Sequence, residues 1–150
     1  MMSEMGFKVY RFSIAWTRII PNGVGEVNQE GIDFYNDIIN ECIKYNIEPL
    51  VTMFHFDMPA KLQDMGSWSN PESSAWFENF AKVLFENYGD RVKYWLTINE
   101  QNVLTLMGPV IGTFFVPEGT TNMLKEIYQQ NHHMMGRTGA PSPGTQRCLR

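Results

Sequence analysis

Short unbroken apolar runs alternate along the chain with longer stretches in which apolar residues recur every three or four positions. The run from Val9 to Trp16, closed by Pro21-Asn22-Gly23, has the length and punctuation of a buried strand. From Asn28, a suitable N-cap, the residues Ile32, Tyr35, Ile38, Ile39, Cys42 and Ile43 fall on one helical face. Pro49 opens a second run, Leu50 to His55, whose brevity between two helical stretches predicts a strand buried on both faces. Asn70-Pro71 reads as a cap followed by proline at the first helical position, and Trp76, Phe77, Phe80, Leu84, Phe85 and Tyr88 carry a helical stripe to Gly89-Asp90. Tyr94 to Ile98 forms a third strand, and a last helix is expected from Thr121 to about Met135.

The order is therefore βαβαβα, which implies parallel pairing and right-handed crossovers, because each helix must return the chain across the sheet before the next strand. A doubly wound sheet and a (β/α) barrel both satisfy it. No Gly-x-Gly-x-x-Gly follows any of the strands, so a dinucleotide-binding sheet has little support, and a barrel would gather its chemistry at the strand ends. Residues 1–135 are read as one domain. From Gly136 the text loses its apolar period and fills with glycine and proline, so 136–150 is expected to be an irregular, disordered tail.

Composition narrows the picture. Of 150 residues 43% are hydrophobic and 13% aromatic, too apolar for a disordered chain. The formal net charge of -4, with no basic run, argues against nucleic acid and acidic membranes as partners. The opening Met1-Met2-Ser3-Glu4 lacks a signal pattern and no stretch approaches the roughly 20 apolar residues of a membrane span, so a cytosolic protein is expected. Cys42 and Cys148 are too far apart in pattern to suggest a disulfide framework or metal-ligand spacing. No cofactor is implied.

Polar residues recur at one topological level: Arg11 on the first strand, His55-Phe56-Asp57 closing the second and Asn99-Glu100 closing the third. A carboxylate at the end of an apolar strand, beside Trp95 and Ile98, is expected to be partly desolvated and suited to donating a proton. Position alone also allows Glu100 to be a strand-end carboxylate paired with Arg11, and His55 to be a core histidine bonded to backbone. His132 and His133 are adjacent on a helix and face apart, which does not make a metal pair. Among the tryptophans, Trp76 belongs to the helical stripe, while Trp68, expected in a loop, is the better candidate for stacking on a sugar ring.

Taken together, RFSIAWTRIIP at Arg11 to Pro21, FHFDMPAKL at Phe54 to Leu62 and DRVKYWLTINEQN at Asp90 to Asn102 resemble three blocks of the family 1 glycoside hydrolases, in order and spacing, from about Met5 to Met135. Gly66-Ser67-Trp68 resembles a glycine-glycine-tryptophan block of the same family. The resemblance implies an incomplete (β/α)8 barrel, about three βα units corresponding to the family's second to fourth strands. It implies Glu100 as the acid/base of a retaining β-glycosidase, Asn99 as a ligand of the sugar 2-hydroxyl, His55 and Phe56 in substrate binding, and Arg11 as the arginine that holds the nucleophile.

Phe56 stands where glucosidases of the family have tryptophan, and Gln101-Asn102 where proline follows the glutamate; both substitutions resemble bacterial 6-phospho-β-glucosidases. The resemblance therefore favours a 6-phospho-β-glucoside over an unphosphorylated β-glucoside as substrate. The family's nucleophile lies in a Glu-Asn-Gly motif, which does not occur in this sequence; Glu86-Asn87-Tyr88 closes a helix instead. The chain alone is accordingly expected to be inactive, either as part of a longer hydrolase or as a catalytically dead remnant with at most weak sugar binding. Its open sheet edges would expose it to aggregation, and its oligomeric state is not legible.

Overall fold

The computed structural model describes residues 2–112 and 114–136. Strand β1 (Val9–Ser13) leads into a one-turn helix α1 (Trp16–Ile19), and helix α2 (Gln29–Lys44) then returns the chain to β2 (Glu48–Phe54). After β2 come a short helix α3 (Ala60–Asp64), a 3-10 turn (Ser67–Ser69) and helix α4 (Ser73–Tyr88). Strand β3 (Tyr94–Ile98) is followed by two short helices, α5 (Gln101–Leu106) and α6 (Gly108–Ile111), and by α7 (Met123–Gly136). The three strands form one parallel sheet in the order β1-β2-β3, with Arg11 opposite Leu50 and Thr52 opposite Leu96.

The expected first strand stops three residues early. Trp16 instead opens α1, because a fully buried indole is best served by a helical turn that stacks it flat on Phe80 at 4.7 Å and lets its Nε1 donate to the Gly23 carbonyl at 3.0 Å. Phe54, Phe77 and Trp68 complete this aromatic cluster between the sheet and α4. Helix α2 starts as expected: the Asn28 side chain accepts the Glu30 N–H at 3.2 Å, one of the orphan donors of the first turn. Ile32, Tyr35, Ile39 and Cys42 are buried, while Ile43, at the edge of the stripe, is 42% exposed. Gly31 lets α2 approach the chain after β1, since a Cβ there would lie 2.0 Å from the Arg18 carbonyl oxygen.

Val51 to Phe54 are buried in succession, the pattern of a strand covered on both faces. Asn70-Pro71 is not the start of α4. The Asn70 side chain accepts the Glu72 N–H and its carbonyl accepts the Ser73 N–H, so the pair forms the turn that precedes the helix. The aromatic stripe of α4 is buried as expected, with Phe85 half-buried.

Helix α7 packs on the 3-10 turn, α4 and α5. Polar side chains fasten it there: Gln130, 1% exposed, donates from Nε2 to the Ser69 hydroxyl and the Phe115 carbonyl, each at 2.7 Å, and His133 Nδ1 donates to the Trp68 carbonyl at 2.7 Å. The helix includes Gly136; the rest of the segment expected to be irregular lies outside the described residues. Among the described residues no helix is long and apolar enough to cross a membrane.

Candidate active site

The C-terminal ends of the three strands bring together most of the residues singled out in the sequence. Alternation along β1 leaves Arg11 exposed between the half-buried Tyr10 and Phe12, the latter stacked on Tyr35 of α2. Its guanidinium then reaches across the sheet: Nε donates to Thr52 Oγ1 at 3.1 Å on β2, and Nη2 donates to Asn99 Oδ1 at the end of β3. Both acceptors are hidden from water, Thr52 at 0% and Asn99 at 6% exposure, so each needs such a donor. Because Arg11 occupies Asn99 Oδ1, the amide Nδ2 is left to donate to something else.

Arg11 thus pairs with Thr52 and Asn99 rather than forming the ion pair with Glu100 that position alone allowed. Thr52 carries no signal in the sequence, because a threonine inside an apolar strand run reads as an ordinary β former.

Glu100 follows Asn99 in a left-handed conformation, φ 40° and ψ 53°, and its carbonyl accepts the Leu104 N–H at 3.0 Å to start α5. This turn lifts its side chain out of the strand, and Glu100 is exposed, not desolvated between Trp95 and Ile98 as expected. Trp95 is buried instead against Phe85, with its Nε1 donating to Val92. Gln101, the next residue, donates from Nε2 to Asn131 Oδ1 at 2.7 Å and ties the start of α5 to α7.

At the end of β2, His55 is exposed with its ring edge-on to Phe56 at 5.4 Å, which corrects the alternative of a core histidine. Phe56 is half-buried and takes a φ of 68°, a backbone region that L-residues with a Cβ rarely adopt. Trp68 does not serve as a sugar platform. It is 3% exposed and its ring is enclosed edge-to-face by Phe54 and Phe77, because the 3-10 turn folds it inward under α7. The turn also accounts for the unusual Gly66-Ser67 pair, whose φ values of 104° and 49° both favour glycine.

Residues 1–141 match the model of glycosyl hydrolase family 1. The chain belongs to that family. It is 48% identical over 143 residues to a 1,4-β-D-glucan glucohydrolase of Thermotoga neapolitana, covering 94% of this chain and 32% of that protein. It is 46% identical over 135 residues to an aryl-phospho-β-D-glucosidase of Bacillus subtilis, covering 89% and 29% respectively. A 6-phospho-β-galactosidase of Clostridium acetobutylicum is 46% identical over 132 residues, 88% of this chain and 27% of the other.

Among solved structures, the β-glucosidase from Thermotoga maritima in complex with deoxynojirimycin superposes with a TM-score of 0.79 at 43% identity, over 89% of this chain and 30% of that one. The chain therefore spans about a third of the length of these relatives. Its three βα units are part of an incomplete (β/α)8 barrel.

Proposed function

We propose that this chain carries the sugar-binding and proton-donating half of a retaining β-glycosidase, with Glu100 as the acid/base residue. The observation that carries the reading is the row Arg11, Asn99, Glu100. Arg11 holds the Asn99 side-chain carbonyl oxygen, which leaves the two amide hydrogens to donate elsewhere, directly before an exposed carboxyl at a barrel strand end. In the reaction Glu100 protonates the departing glycosidic oxygen, and then, as carboxylate, takes a proton from the attacking water. Asn99 donates to a sugar hydroxyl beside the reacting carbon, and His55 and Phe56 bind the ring from the end of β2.

Retention needs a second carboxylate about 5–5.5 Å from the first to attack the anomeric carbon. That group is supplied from outside these 150 residues, in the Glu-Asn-Gly motif that the family resemblance implies. Phe56 and the Gln101-Asn102 pair favour a 6-phospho-β-glucoside as substrate, which suits a cytosolic enzyme. Relatives of both kinds stand at similar identity, 48% and 46%, so overall likeness does not decide between them.

The test is expression of the complete reading frame around this segment, assayed with p-nitrophenyl β-glucoside and its 6-phosphate. Faster turnover of the 6-phosphate is expected. Faster turnover of the unphosphorylated substrate overturns the substrate assignment, and a reading frame with no downstream Glu-Asn-Gly and no turnover of either compound overturns the hydrolase reading in favour of a sugar-binding remnant.

A further inference from the structure

One carboxylate at this mouth has no part in the reaction above. Asp57 is half-buried in the loop after β2, and its two oxygens serve two different loops. Oδ1 accepts the main-chain N–H of His55 at 3.1 Å, and Oδ2 accepts the N–H of Trp16 at 3.0 Å. Trp16 is the first residue of α1, so the second bond joins the connection after β1 to the connection after β2. The neighbouring Ala15 N–H is taken by the Tyr35 hydroxyl at 2.8 Å, and Asp57 supplies the acceptor for the first N–H of this helix.

Phe56 lies between His55 and Asp57 with its φ of 68°. A left-handed conformation is unfavourable for a residue with a Cβ and persists only where surrounding contacts over-determine it. A carboxylate suits that task because it is acceptor-only and can take both N–H groups; an asparagine would have to set its own amide hydrogens against one of them. Hydrogen bonds to an ionised acceptor are also roughly twice as strong as neutral ones.

We infer that Asp57 is a positioning residue, whose carboxylate spans the His55 and Trp16 N–H groups, holds the left-handed turn at Phe56 and thereby sets where His55 and Phe56 meet a bound sugar. This rests on the reading of His55 and Phe56 as sugar-contacting residues, and the test separates the two. Deoxynojirimycin is titrated into the wild-type chain and into Asp57→Asn, with amide signals followed by NMR. The substitution is expected to weaken binding about tenfold or more, the scale of one charge-assisted hydrogen bond. It is also expected to shift the amide signals of His55 and Phe56 while those of Val51 and Met53 stay in place. A variant that binds as tightly as wild type, or whose His55 and Phe56 signals do not move, overturns the inference.

If the wild-type chain does not bind the iminosugar, the sugar-contact reading fails, and the positioning role is judged on the amide signals alone. Should Asp57→Asn not fold, hydrogen exchange of the wild type decides. The amide of exposed His55 is expected to exchange at least about tenfold more slowly than an unstructured amide, and exchange at the unstructured rate overturns the role.

Discussion

Replacing Arg11 with methionine keeps much of the aliphatic stem but removes the guanidinium that Thr52 and Asn99 share. A buried acceptor left without a donor costs about 1–3 kcal/mol, and the exposed guanidinium itself loses little in returning to water. The Thr52 hydroxyl can turn toward backbone and recover part of its share, so the sum is expected at about 2–4 kcal/mol, most of it from Asn99. Thr52→Val alone removes only an acceptor from a donor that water can satisfy, and should cost at most about 1 kcal/mol. Combined, the two substitutions should cost less than their sum by about 1 kcal/mol, because the double variant has no Thr52 hydroxyl for the lost guanidinium to strand, while Asn99 is stranded in either case. Urea unfolding of the four species measures all of this, provided the m-values agree. A loss below about 0.5 kcal/mol for Arg11→Met, or strict additivity with Thr52→Val, refutes the shared-donor account; coupling between Arg11 and Glu100 instead restores the ion pair.

Other expectations follow from the same geometry. Gly31→Ala should destabilise the chain in spite of the ~1 kcal/mol gain in helix propensity, because its methyl would meet the Arg18 backbone at 2.0 Å; a rise in urea midpoint contradicts this. Ser67→Gly should stabilise by about 0.5–1 kcal/mol by relieving a φ of 49° in a buried turn, measured the same way, with an unchanged or lowered midpoint contradicting it. Burial raises the phenol pKa of Tyr88, which donates to the Ile32 carbonyl at 3.1 Å, and of Tyr35, both above the ordinary 10.0. Their unfolded forms release protons first, so stability should fall as pH climbs above about 10, and should not do so in that measure for Tyr88→Phe.

The long elements were legible because they repeat a period. The stripes Ile32 to Cys42 and Trp76 to Tyr88, the Asn28 cap and the bounds of β3 all appear where the pattern of apolar residues places them. The one-turn helices α1, α3, α5 and α6 were not, since four to six residues cannot display a 3.6-residue period. Asn70-Pro71 misled by two residues because a cap signal and a turn signal use the same residues.

At the site, strand ends located Arg11, His55, Asn99 and Glu100, but sequence alone could not report solvent. Glu100 turns outward on a left-handed backbone, and Trp68 turns inward beneath α7, the reverse of what each neighbourhood suggested. Thr52 and the Gln101–Asn131 link depend on contacts across 41 and 30 residues, which no local pattern records.

The central claim is that Glu100 supplies the proton, and the most direct measurement is of a graft. With this chain replacing the matching segment of the Thermotoga maritima β-glucosidase, the turnover of an alkyl β-glucoside is compared for Glu100 and for Glu100→Gln. The substitution is expected to lower turnover by about 10²–10⁴-fold, while a dinitrophenyl glucoside, whose leaving group needs no proton, still releases its phenol in the first turnover. A Glu100→Gln graft that hydrolyses the alkyl glucoside at the parent rate contradicts the assignment.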